Sequence, residues 1–141
     1  MTPREEKDLL IRVVRKLAIT QLIKGGFIPF GATLDSKRHV QLLMPKSMKK
    51  NTTRDELQVY WARELKQAAA SGACKTVCWC ADVRADSDGG ALVPAVFVHI
   101  EHCDAYAEDI FYPYVNEGSE CEVTEHQIFI SPAPCVFPPS E

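Results

Sequence analysis

From Cys74 to Ile130 the apolar residues recur at every second position through four successive segments, near residues 74 to 85, 91 to 103, 107 to 114 and 121 to 130. They are separated only by DSDGG, a short polar turn and NEGSE. A period of two marks a strand, because alternate side chains share a face. Strands joined by such tight turns pair antiparallel, so this half of the chain reads as a meander.

The first half carries a different period. Thr2-Pro3-Arg4-Glu5 has the form of a capping box with proline at the first helical position. Leu10, Val13, Val14, Leu17 and Leu22 then form a helical stripe that stops at Gly25-Gly26, giving a helix over about 3 to 24. FIPFGATLD and VQLLMP flank the polar SKRH as a hairpin, with strands near 27 to 34 and 39 to 44; Pro29 makes the first strand start late or lie at an edge. Thr53-Arg54-Asp55-Glu56 repeats the capping box and opens a second helix, with Leu57, Tyr60, Trp61, Leu65 and Ala68 on one face and Gly72 as its stop. The order α-β-β-α-β-β-β-β predicts an α+β fold: one antiparallel sheet of five or six strands with two helices packed on it. At 141 residues the chain has the size of one domain, with the proline-rich residues 131 to 141 as a C-terminal arm.

Charge is unevenly spread. Residues 1 to 54 hold 12 Lys or Arg against 4 Asp or Glu, and residues 55 to 141 hold 4 against 15. Such a split favours partners of opposite charge or head-to-tail self-association, unless the halves interleave and their fields cancel. The amino terminus is charged from its fourth residue and carries no apolar run of signal-peptide length, which points to a cytoplasmic protein and no membrane partner. In a reducing compartment the six cysteines are free thiols or metal ligands, not a disulfide framework.

CKTVCWC, residues 74 to 80, is the one stretch with the ingredients of a site. If Asp88-Gly89 forms a two-residue hairpin loop, Cys78 faces His99, Cys80 faces Phe97, Cys74 faces Cys103 and Thr76 faces Glu101. Val77, Trp79, Ala81 and Val83 would then share the core side with Val96, Val98 and Ile100. On that register Cys78, Cys80 and His99, with Glu101 or water as a fourth ligand, could hold one zinc, the only cofactor the sequence offers. A Cys78 thiolate beside His99 would equally make a nucleophile and base pair. The competing expectation is that these cysteines are small buried hydrophobes. A register slip of one residue would put His99 on the opposite face from Cys78. His39 reads as solvated, His102 as a satisfied structural histidine, and His126 has no evident partner.

Other chemistry is thin. Gly25-Gly26 follows a helix and Gly89-Gly90 lies in a hairpin, so neither cradles a phosphate. Lys37, Arg38 and the basic stretch from Lys46 to Arg54 lack an aromatic stacking surface, which argues against nucleic acid. Tyr112 and Tyr114 alternate on one strand beside Glu117, Glu120 and Glu122, a combination suited to a protein interface with a basic partner. The leading expectation is therefore a non-enzymatic protein-binding module, of the immunity or inhibitor type or self-associating. A thiol or zinc site at Cys78, Cys80 and His99, or a small-ligand pocket between the second sheet face and the tail, are the alternatives.

GFIPFGATLD, WCADVRAD, VFVHIEH and IFYPYVNEG, taken with the long second helix, resemble a family of small uncharacterised bacterial α+β proteins over about residues 25 to 131. The resemblance implies a bacterial source and this order of elements, and it implies no activity. Cys78, Cys80 and His99 stand where that family has ordinary strand residues. The helix, hairpin, helix, meander order is also similar to Roadblock-type and profilin-like domains, at the level of fold alone.

Overall fold

The computed structural model describes residues 2–25, 27–45, 52–70, 74–86, 92–117, 120–123, 128–130 and 136–137. Within them α1 spans Pro3–Ile23 and α2 spans Arg54–Ala69; the strands are β1 Phe30–Asp35, β2 Val40–Leu43, β3 Cys74–Asp86, β4 Leu92–His102, β5 Tyr106–Glu117, β6 Glu120–Val123 and β7 Ile128–Ile130. The architecture is α+β. Five antiparallel strands run in the order β2-β1-β3-β4-β5, and the two short strands share the outer edge of β5, β7 along Asp109–Phe111 and β6 along Tyr114–Glu117. The single last strand expected over 121 to 130 is thus two strands.

Both capping boxes are formed. The Thr2 hydroxyl accepts from the Glu5 amide while Glu5 accepts from the Thr2 amide, and Thr53 and Glu56 repeat the exchange. These bonds satisfy helix-end donors that would otherwise be orphaned. Gly25, at φ +84, ends α1 in the left-handed conformation that its missing Cβ permits. β1 begins at Phe30, directly after Pro29. Gly72 lies outside the described residues, and α2 ends before it at Ala69.

The helices pack on opposite faces of the sheet. Leu10, Val14, Ala18 and Leu22 of α1 cover Phe30, Ala32, Leu34, Cys78, Cys80, Val96, Val98, Ile100, Ile110 and Tyr112. Leu57, Trp61 and Leu65 of α2 cover Val77, Trp79, Ala81, Ala95, Phe97 and Phe111, together with Val136 from the arm. Central strands covered on both faces bury consecutive residues, so every position from Ala95 to His102 is buried. The expected division into one core side and one second face therefore becomes two cores.

The hairpin register also differs from the two-residue-turn expectation. Cys78 pairs with Ile100, Trp79 with His99 and Asp86 with Leu92. The last of these pairs leaves residues 87 to 91 as the connection, and Asp88-Gly89 falls outside the described residues. The register moves by one residue and every β4 side chain changes face relative to β3. Val96, Val98 and Ile100 consequently join Cys78 and Cys80, not Trp79.

α2 approaches β1 closely at one point. A Cβ placed on Gly31 would lie 2.8 Å from Trp61 Cζ3 and 3.0 Å from its Cε3. Trp61 is almost fully buried and has little room to withdraw. Gly31→Ala is expected to lower stability by about 1–3 kcal/mol through overpacking. The urea midpoint should drop at constant m-value; an unchanged midpoint would mean that the indole moves freely.

Candidate functional site

The register that separates Cys78 from His99 assembles a different cluster. β4 and β5 pair His99 directly with Asp109, and Glu101 lies two residues along the same face. His99 Nδ1 sits 2.5 Å from Asp109 Oδ1, and its Nε2 sits 2.5 Å from Glu101 Oε2. Each ring nitrogen thus meets a carboxylate. With both carboxyl groups ionised, the ring can donate through both nitrogens only as the imidazolium, which two charge-assisted bonds would hold.

Glu101 has no solvent exposure at all. Its Oε1 accepts from the Val136 amide at 3.0 Å and the Phe137 amide at 3.1 Å, and its Oε2 lies 3.2 Å from the Val136 amide. A buried carboxylate needs such donors, because desolvation disfavours an unpaired charge. The arm therefore closes the α2 face over this cluster, with Val136 buried and Phe137 partly so. The Trp79 ring lies 6.3 Å from the His99 ring and lines the same space.

His102 belongs to the α1 face. Its Nδ1 accepts from the Asp104 amide at 3.1 Å and its Nε2 lies 3.3 Å from Glu6 Oε2, which also accepts from the Thr76 hydroxyl. This bonding ties the start of α1 to the sheet and makes His102 the satisfied structural histidine that its strand position implied. His39 is exposed, 3.4 Å from Asp35 in the β1–β2 turn. His126 lies outside the described residues.

The zinc set of Cys78, Cys80, His99 and Glu101 is not brought together. The thiols face α1 and the other two face α2, so the sheet itself stands between them. The Cys78 and His99 nucleophile–base pair fails for the same reason. No group of three or more metal-ligating side chains converges among the described residues. Cys74 leaves the face of Cys78 and Cys80 as well: the pairing shifts by one between Leu34 and Asp35, and this irregularity turns Cys74 toward Ala68 of α2. Burial, with Cys78 alongside, pushes the Cys80 thiol well up. In the native chain Cys78 and Cys80 should therefore resist iodoacetamide while the half-buried Cys103 is labelled. Peptide-resolved mass spectrometry checks this, and labelling of Cys80 as fast as Cys103 would contradict it.

Tyr112, expected at an interface, is buried beneath α1, with the Arg15 guanidinium 4.8 Å above its ring. Tyr114 is partly exposed and donates to Asp82 at 2.7 Å. Glu117 pairs with Glu120, and Glu122 pairs with Val115, in the β5–β6 backbone ladder; the side chains of those glutamates lie outside the described residues.

An open groove of about 1230 Å³ runs beside α1 and was not anticipated. Its described lining includes Arg4, Lys7, Arg12, Arg15 and Lys16 of α1 with Asp8 among them, and Tyr106, Glu108 and Tyr112 of β5. Arg4 with Lys7, and Arg12 with Arg15 and Lys16, are spaced by three or four along the helix, and Asp8 links the two sets at i±4. That spacing was visible in the sequence, but which flank the sheet would leave open was not. Lys7 bonds Glu108 at 2.6 Å, while Arg4, Arg12 and Lys16 are exposed. The amino end of α1, with its fixed positive potential, also opens into the groove at Thr2 and Pro3. No helix of the described residues is long and apolar enough to cross a membrane. Searches for a matching protein family, curated protein or solved structure found none.

Proposed function

We propose that this chain is a protein-binding module, inhibitor-like or self-associating, whose binding surface is the groove beside α1. The observation that carries this reading is the preponderance of cations in that groove, five against two acids, above a floor containing two tyrosines. Such a surface suits an acidic segment of a partner chain, which Arg12 and Lys16 would meet from solvent and the partly buried Tyr106 would contact through its ring. This reverses the polarity expected from the acidic carboxyl half, because Tyr112 serves as a wall beneath α1 and not as part of an exposed acidic strand. His99 and Glu101 are buried among the described residues and bonded to Asp109 and to the Val136 and Phe137 amides, an arrangement that suits holding a chain segment. Free thiols at Cys74, Cys78, Cys80 and Cys103 agree with a reducing cytoplasm.

The test uses a fluorescent, glutamate-rich peptide and the Arg12→Glu, Lys16→Glu double variant. Both positions are exposed, so the fold should persist. The wild-type chain should bind the peptide more weakly as salt rises, and the variant should bind at least about tenfold more weakly at low salt. Equal affinity of the two chains would overturn the reading. So would tighter binding of a single-stranded oligonucleotide than of the peptide.

A further inference from the structure

Residues 131 to 139 read SPAPCVFPP, and proline has no backbone N–H to give. Between Pro132 and Pro139 the only adjacent amides belong to Cys135, Val136 and Phe137. Two of these three, Val136 and Phe137, are the donors that Glu101 accepts. His99 contacts Oε2 of the same carboxylate, and Asp109 contacts the other nitrogen of the His99 ring. Beside it, the Val136 side chain enters the apolar space formed by α2, Trp79, Phe97 and Phe111.

We propose that this seat is a recognition site for an extended, proline-flanked peptide segment with two adjacent free amides and an apolar first side chain. In this structure the chain's own Val136 and Phe137 occupy it. An external segment of the same chemistry takes their place when the arm leaves. A buried charged group is a poor way merely to close a core, since apolar side chains of similar volume often do so at equal or greater stability. It is a good way to select a backbone, because a carboxylate that must have two N–H donors rejects proline at either position. The contacts reach across 35 and 36 residues of sequence and engage backbone amides and one apolar side chain, none of which depends on the covalent tether. Flanking prolines restrict the free segment toward extended conformations and so reduce the entropy lost on docking.

The experiment uses the full chain under reducing conditions and a fluorescent synthetic peptide of sequence SPAPCVFPPSE. Val136→Pro removes one donor from the tethered arm without touching the receptor face. The peptide should bind this variant at least about tenfold more tightly than it binds the wild-type chain, where the tethered arm competes at an effective concentration in the ~mM range. A peptide N-methylated at the two amides should bind neither. Equal affinity for both chains, equal binding of the methylated peptide, or no binding to a cooperatively folded variant would each overturn the proposal. Should the variant not fold, hydrogen exchange in the wild-type chain decides. Val136 and Phe137 amides exchanging at least about tenfold faster than the Phe97 amide would show the arm leaving by itself, and equal rates would refute it.

Discussion

A His99→Leu chain is expected to lose about 3–5 kcal/mol of stability, the cost of removing one partner from a buried charged network. Leucine fills much of the same space, so the loss would be electrostatic more than a matter of packing. Without the imidazolium, Glu101 and Asp109 each lose the cation bonded to them, while the two arm amides still donate to Glu101. Glu101→Gln is the informative companion. Its carbonyl oxygen can still accept from Val136 and Phe137, but its NH2 group cannot replace a carboxylate at His99 Nε2, so a smaller loss of about 1–3 kcal/mol is expected. Urea unfolding followed by tryptophan fluorescence would report both, with Trp79 beside His99 as the nearby probe. A loss below about 1 kcal/mol for His99→Leu would show that the cluster is not a charged network in the native state.

The elements were legible because their signals are local. Thr2 and Glu5, Thr53 and Glu56, Pro29 and Gly25 each act within a few residues, and each starts or stops an element where it was expected to. The faces were not legible, because they depend on register. Alternation in β3 and β4 is exact enough to show two faces per strand, but it cannot say which face of one strand meets which face of the next; the length of the connection decides that. A five-residue connection between Asp86 and Leu92 was sufficient to exchange His99 for Ile100 opposite Cys78. Apolar residues on both faces of β4 were a clue to helices on both sides, yet polar Thr76, His99 and Glu101 made one face look solvent-facing. Their burial depends on partners remote in sequence: Glu6 for Thr76, and the arm for Glu101. The Val136 and Phe137 contacts are of this kind, and only the prolines around them hinted at where amides were available.

Alkaline pH should unfold this chain in a graded way, and the sign follows from its buried acids. Burial pushes the Tyr112 phenol up to about 12, with Arg15 partly opposing and Cys80, Glu108 and Asp8 adding to the rise. Burial, then Glu108 and Glu6, raises Tyr106 as well, and burial raises Cys80. In the unfolded chain a thiol ionises near ~8.5 and a phenol near ~10. Between the unfolded and folded values the unfolded chain has released the proton and the native chain retains it, so stability falls as pH rises. The contribution is complete below about pH 8.5, begins to fade through Cys80, and fades further above about pH 10 through the tyrosines. Tyr112 alone accounts for about 2–3 kcal/mol over that range at ~1.4 kcal/mol per pH unit. Tyr112→Phe keeps the ring under Arg15 and removes the phenol, so its urea midpoint should fall less steeply between pH ~9 and ~12 than that of the wild-type chain. Parallel slopes for the two chains would mean that Tyr112 ionises in the folded state as readily as in the unfolded one, and that α1 lifts from the sheet edge to let water reach it.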